Sequence, residues 1–183
     1  MGQRRGVRPI RVAIVGPESS GKSTLAEELA RSLRAEGWSA AWVQEYSRAY
    51  YAHRPYVSEL ADIEAIAIGQ LAEEERAARE AAILLCDTTA LTCKIWAEVA
   101  HGAASAALLA LYRPKDYDLT LLACPDIPWQ PDPLRSHPTQ RDWLLELHRQ
   151  ELARQGIDAV ELSGGRESRL ARARQALLPL LLA

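Results

Sequence analysis

With 183 residues, 24 acidic and 22 basic for a formal charge of -2, the chain has the length for a single domain spanning 1–183 with a sizeable core, and too little for two. Acids and bases are interspersed, which excludes the basic footprint of a nucleic-acid binder and a polybasic membrane anchor. Cys86, Cys93 and Cys124 lack metal-ligand spacing, and His53, His101, His137 and His148 stand singly, so a cytoplasmic protein with free thiols and no structural zinc is expected.

Residues 1–9, rich in glycine and arginine, read as a loose lead-in, and the Arg4-Arg5 pair has no apolar signal segment behind it. Arg11-Val12-Ala13-Ile14-Val15 is a β-branched apolar run that predicts a buried strand, and Leu25 to Arg34 carries apolar residues at helical spacing. Between them lies Gly16-Pro17-Glu18-Ser19-Ser20-Gly21-Lys22-Ser23-Thr24. A glycine loop ending in Lys-Ser between a strand and a helix is the context that separates a P-loop from a chance pattern. Gly16 and Gly21 let the backbone turn its N–H groups inward at a helix N-terminus, where the dipole favours phosphate. Lys22 can reach the β- and γ-phosphates of a nucleoside triphosphate, and the Ser23 hydroxyl is placed to ligate the accompanying Mg²⁺. Glu18, Ser19, Ser20 and Thr24 complete the expected nucleotide-binding stretch.

Glu36-Gly37 gives a stop signal, and Ala40-Ala41-Trp42-Val43 predicts a second strand ending at Gln44-Glu45-Tyr46. Leu60, Ile63, Ile66, Ala67 and Leu71 predict a helix within 58–80, and Ala82-Ile83-Leu84-Leu85-Cys86 a buried strand ended by Asp87-Thr88-Thr89. Helical patterns over 91–99 and 104–112 flank a break at His101-Gly102, and Leu119 to Ala123 is a fourth strand. The proline-rich segment 124–138 excludes a regular helix or central strand and predicts an ordered loop or lid. A helix over 140–155, a strand over 159–162, the turn Ser163-Gly164-Gly165 and a closing helix follow. The last apolar run, 176–183, falls far short of the ~20 residues of a membrane span and is interrupted by Pro179. Trp38, Trp42, Trp96 and Trp143 fall on these patterns and are assigned to the core.

Alternating strands and helices imply a parallel sheet covered on both faces, with ligands in the crevice beyond the strand C-termini. Glu45 and Asp87 end neighbouring strands there. One carboxylate can take a proton from an attacking hydroxyl while the other orders hydrated Mg²⁺ or holds a substrate hydroxyl, although acids at strand ends also serve as helix caps. Arg135 and Arg141 can neutralise the charge that phosphoryl transfer spreads over equatorial oxygens, if the lid carries them over the γ-phosphate. Arg48 is a further candidate through its closeness to Glu45. Trp129 can stack on a planar ring, gaining cation–π attraction if the ring is positive, or can anchor the loop; Tyr46 poses the same choice. The chain contains no asparagine, so the Asn-Lys-x-Asp element that reads guanine is absent; adenine is the default base, with a site expected near Ser163-Gly164-Gly165.

The P-loop with Glu18-Ser19-Ser20 inside it, Glu45-Tyr46-x-Arg48, Asp87-Thr88, and Trp129-x-x-Asp132-x-Leu134-Arg135-Ser136 with Arg141 together resemble the nicotinamide riboside kinase domain of NadR-type proteins. The resemblance runs in order from the first strand to the last helix, and its lid element is the most restrictive part. It implies an α/β fold: a three-layer P-loop kinase with a five-stranded parallel sheet, helices on both faces and a lid. It also implies ATP-dependent phosphorylation of the 5′-hydroxyl of nicotinamide riboside to nicotinamide mononucleotide, in NAD salvage. Lys22, Glu45, Asp87, Arg135 and Arg141 then serve catalysis, Ser23 and Asp87 serve the metal, and Glu45, Tyr46, Arg48, Asp87, Trp129 and Asp132 hold the small-molecule substrate. The chain departs from the family at Thr89, where an acid is common, and it has only a short stretch before the first strand, so it is not expected to make the dinucleotide. The alternatives are a kinase of another nucleoside or small metabolite, and a P-loop regulatory module that binds or slowly hydrolyses ATP. Nothing in the sequence signals an oligomeric state.

Overall fold

A computed structural model describes residues 8–182; of the expected lead-in over 1–9, residues 1–7 lie outside the described residues. The elements are β1 (Ile10–Val15), α1 (Lys22–Ala35), β2 (Ala40–Val43), α2 (Tyr46–Tyr51), α3 (Leu60–Ala77), β3 (Ile83–Asp87), α4 (Ala90–His101), α5 (Ala106–Leu111), β4 (Leu119–Ala123), α6 (Arg141–Arg154), β5 (Val160–Leu162) and α7 (Arg166–Leu182), with a 3₁₀ turn at Pro114–Asp116. The five strands lie in the order β2-β3-β1-β4-β5 and all pair in parallel.

The apolar runs become strands because both faces of the sheet are covered, so alternation gives way to continuous hydrophobicity. Val12 and Ile14 point to the face closed by Leu25, Leu29 and Leu33 of α1 and by Ala173 and Leu177 of α7. Ala13 and Val15 point to the other face, against Leu91 and Ile95 of α4 and Leu145 and Leu152 of α6. Each fully buried leucine among these contributes roughly 1.5–3 kcal/mol relative to exposure. A third cluster lies between helices, with Tyr51 of α2, Ile63, Ile66 and Ala67 of α3, Cys93 and Ala97 of α4, and Leu108 of α5.

The chain leaves β1 toward β2 and β3 on one side and toward β4 and β5 on the other. The C-terminal end of β1 is therefore the topological switch point, and the P-loop sits on it.

Several expectations change. Residues 46–51 form a short helix where the sequence suggested the tail of a strand; one and a half turns carry too few apolar positions to show a period. Pro179 lies inside α7 rather than interrupting it, with Ala173 and Leu177 holding the helix down on α1. Trp38 and Trp143 are not core: they are 38% and 48% exposed, in the turn after α1 and in the first turn of α6. Trp42 packs part-buried against the α1/α7 cluster. Cys86, Cys93 and Cys124 are buried free thiols. Among the described residues no helix is long and apolar enough to cross a membrane.

Candidate functional site

The loop between β1 and α1 is shaped by backbone that other residues resist. Gly16 has φ +139°, and a Cβ there would stand 2.5 Å from the Ala123 carbonyl oxygen; Gly21 has φ +83° and occupies the N-cap of α1 without a side-chain cap. The first N–H groups of α1 therefore face the crevice uncapped, as an anion site requires. The Ser20 hydroxyl donates to the Pro17 carbonyl at 2.8 Å and fixes the turn from inside. Lys22 folds back over the loop, its Nζ donating to the carbonyls of Gly16 at 3.0 Å and Pro17 at 2.7 Å. Burial pulls its ammonium below the ordinary lysine range, while the charges of Glu45 and Asp87 act in the opposite sense.

Asp87 is the last residue of β3, in register with Ile14 of β1, and is 1% exposed. Burial pushes its carboxyl up to about 6, with the Ser23 hydroxyl and the Lys22 charge holding it down. Helix capping does not explain it: Thr89 is the N-cap of α4, its Oγ1 accepting the Leu91 N–H at 3.3 Å. The position where the resemblance leads one to expect an acid is thus taken by a cap, and Asp87 Oδ1 has no hydrogen-bond partner among the described residues. Glu45 stands at the N-cap of α2 and also makes no side-chain cap. Its carboxylate accepts from the Ser47 hydroxyl at 2.7 Å and lies 3.9 Å from the Arg48 guanidinium. Among the described residues no group of three or more His, Cys, Asp and Glu could hold a metal ion. A hydroxyl beside one carboxylate with a spare oxygen does suit Mg²⁺ that takes its other ligands from phosphates and water.

The proline-rich segment is tied down onto the P-loop. Glu18 accepts from the backbone N–H groups of Ser136 and His137, each at 3.0 Å, and the Ser19 hydroxyl accepts the Gln130 N–H at 2.9 Å. Glu18 and Ser19 thus spend their side chains on the lid. Arg141 donates to the carbonyls of Ser19 at 3.2 Å and Ile127 at 2.9 Å, with its guanidinium 5.8 Å from the Trp129 ring centre. Arg135 donates to the Gln130 carbonyl, and Arg48 donates to Asp132 at 3.0 Å. Arg169, which the sequence gave no reason to single out, is 5% exposed and joins three segments. It donates to the carbonyls of Ser20 at 2.8 Å, Cys124 at 2.9 Å and Gly164 at 2.7 Å, and pairs with Asp126. Asp126 also accepts the Gly164 N–H at 2.6 Å, which sets the Ser163-Gly164-Gly165 turn beside the P-loop.

These segments enclose a cleft of about 210 Å³. Of the residues singled out from sequence, the whole loop from Gly16 to Thr24 lines it, with Glu45, Arg48 and Arg135. Asp87 is buried and, like Tyr46, Trp129, Asp132 and Arg141, is not part of its wall. Tyr46 packs against α3 instead: a Cβ on Gly69 would come within 2.1 Å of its ring. The aromatic wall is made by Tyr51, Tyr56 and Trp96. The Tyr56 and Trp96 rings lie 6.2 Å apart, centre to centre, at an interplanar angle of 15°. Thr92 and Trp96, four residues apart, share one face of α4, a spacing that could have shown Trp96 turning with Thr92 toward the cleft; Tyr56 sits in a loop with no pattern to read.

Comparison with known proteins fits this geometry. A family model described as an AAA domain matches residues 11–169. The fold matches the crystal structure of a NadR protein in complex with NR, with a TM-score of 0.71 and 23% identity over 93% of this chain and 50% of that one. A NadR protein in complex with NAD and AMP-PNP gives a TM-score of 0.67 and 22% identity over 92% of this chain and 49% of that one. The chain thus spans about half the length of these neighbours, and at such identity the likeness establishes the fold. A comparison with curated proteins gives no match.

Proposed function

The chain belongs to the AAA domain family of P-loop proteins, and from that premise we propose that it is an ATP-dependent kinase of a nucleoside, with nicotinamide riboside as the phosphate acceptor. The carrying observation is the meeting, in one cleft, of the uncapped P-loop, the Glu45 carboxylate and the stacked pair Tyr56 and Trp96. A positively charged pyridinium ring gains cation–π attraction from such a pair, and the ribose hydroxyl it carries can then extend toward the phosphates. The sequence points to Trp129 and Tyr46 for this role; on the cleft wall stand Tyr51 and the stacked pair Tyr56 and Trp96 instead.

On this reading the α1 N–H groups and Lys22 hold the triphosphate, Lys22 exchanging the carbonyls of Gly16 and Pro17 for β- and γ-oxygens. Ser23 and Asp87 are the residues that would hold Mg²⁺, which neutralises charge on the phosphates. Glu45 lines the cleft, whereas Asp87 is buried behind the lining and is given to the metal with Ser23, which favours Glu45 as base. The acceptor hydroxyl oxygen bonds to the γ-phosphorus as its proton passes to Glu45 and the bridging bond to ADP breaks. Arg135 and Arg48 offer positive charge on the same wall, and Arg141 fixes the lid that excludes water. The same reading assigns adenine to the side of the turn at Ser163-Gly164-Gly165, which Asp126 ties down through the Gly164 N–H, in a cytoplasmic enzyme whose stretch 1–183 works as one domain.

The test is ADP release from Mg-ATP with and without nicotinamide riboside. Release that requires the acceptor and matches it mole for mole is the expected result. Slow release indifferent to any acceptor would instead assign a P-loop regulatory module.

A further inference from the structure

The cleft also holds polar atoms that the proposed phosphate binding does not use. His148 of α6 lines the cleft and is 2% exposed. Its Nδ1 faces the Leu144 carbonyl oxygen at 2.7 Å; a carbonyl only accepts, so Nδ1 carries the proton and donates. Nε2 is then a bare lone pair, and it has no partner among the described residues. Burial, with a smaller push from the Lys22 charge, holds the imidazole down at about 4, so it is neutral at physiological pH and keeps this tautomer. The same cleft is lined by Thr92 of α4 and by Thr88, in the connection just before that helix, whose Oγ1 atoms are likewise buried without partners among the described residues. Ile95, Val99 and Leu144 make the rest of this wall apolar.

A buried acceptor without a donor is costly, and a site that retains one is suited to a molecule that brings the missing hydrogen. We propose that His148 is a specificity residue for the phosphate acceptor, its Nε2 accepting a hydrogen bond from an uncharged donor of that molecule, a hydroxyl or a primary-amide N–H, and turning away an ionised carboxylate. The inference rests on the kinase reading above and adds what the cleft selects. A carboxylate offers only lone pairs to the Nε2 lone pair, in apolar surroundings where an unpaired charge is disfavoured. Thr92 and Thr88 can act as either donor or acceptor and so complete the pairing of a hydroxyl or an amide.

Steady-state kinetics on the full chain, with nicotinamide riboside, its carboxylate analogue nicotinic acid riboside, and its 2′- and 3′-deoxy forms, separate the two donors. If Nε2 reads the amide, the carboxylate analogue has a KM at least about tenfold higher; if it reads a ribose hydroxyl, one deoxy form does. His148→Phe keeps a planar aromatic ring there and removes both ring nitrogens, Nε2 with the Nδ1 that donates to the Leu144 carbonyl. It is expected to erase that one preference, raising KM for nicotinamide riboside about tenfold while KM for ATP stays put. On the wild type, the nitrogen-15 resonance of His148 Nε2 is expected to move on adding the acceptor and to stay still with a non-hydrolysable ATP analogue alone. This readout needs no variant to fold. Turnover of nicotinamide riboside with no discrimination among the analogues and an unmoved Nε2 resonance would make His148 a core histidine and overturn the inference, leaving the kinase reading intact. If no acceptor is phosphorylated, the kinase reading falls and takes the inference with it.

Discussion

The Arg48 guanidinium donates to Asp132 Oδ2 at 3.0 Å and so joins the helix after β2 to the lid 84 residues further on. The same guanidinium lies 3.9 Å from Glu45, which places it between the proposed base and the segment that closes over it. Its charge holds the Asp132 carboxyl below the usual range, alongside the Leu134 N–H, against a burial that raises it. An ion pair this exposed contributes only ~0–1 kcal/mol to stability, so Arg48→Ala should leave the melting temperature nearly unchanged. Its expected effect is on catalysis: kcat/KM for the acceptor falls about tenfold or more, and Asp132→Asn in the same background adds little because the two act as one unit. Additive losses would dissolve the link.

Lys22→Ala removes the one lysine ammonium that lines the cleft among the described residues. Turnover is expected to drop by roughly a hundredfold to a thousandfold, the scale on which single transition-state donors act. The fold should persist, since the ammonium binds only loop carbonyls. Circular dichroism with a turnover assay checks both halves; turnover like wild type would end the mechanism.

Asp87 carries a stability cost whose sign is fixed. Its carboxyl is raised from 3.8 to about 6 in the fold, so between those values the native state holds a proton that the unfolded chain has released. Stability therefore falls as pH rises through that window and stays reduced above it. Asp87→Asn should be more stable than wild type at neutral pH by roughly 3 kcal/mol and equal to it in more acidic solution, while losing activity. In the wild type, kcat/KM should decline as pH drops through about 6, where Asp87 takes up its proton. Denaturant midpoints measured across pH, beside the rate profile, decide it.

The aromatic wall separates the two candidate ring sites. Tyr56→Ala and Trp96→Ala should each raise KM for nicotinamide riboside by about tenfold, with KM for ATP unchanged, because a desolvated cation–π contact is worth ~1–2 kcal/mol. Trp129→Ala should act mainly through the lid, since its ring meets Arg141 outside the cleft wall. The reverse ranking would return the ring to Trp129.

The P-loop, Asp87 and the five strands were legible because their signals are local. Val12 to Val15 and Ile83 to Cys86 are continuous apolar runs that only a sheet covered on both faces can bury, and the glycine loop follows its strand directly. What was hidden depends on tertiary approach. Glu18 reads as part of a phosphate loop, yet its carboxylate caps backbone N–H groups of a segment that only the folded chain brings near. Arg169 resembles any exposed arginine of an amphipathic helix until three carbonyls converge on it. His148 and Trp96 take meaning from α4 and α6 facing each other across the cleft, which periodicity within either helix does not encode. Tyr46 looked like a ring platform because it follows Glu45, but Gly69 opens a slot for it on α3.

The most direct test of the account incubates purified protein with Mg-ATP and, separately, nicotinamide riboside, uridine, cytidine and thymidine, and reads the product by mass spectrometry. A product heavier by one phosphoryl group is expected with nicotinamide riboside, and far less with the three nucleosides that lack a cationic ring. No phosphorylated acceptor from any of them, with ATP still bound tightly, would contradict it.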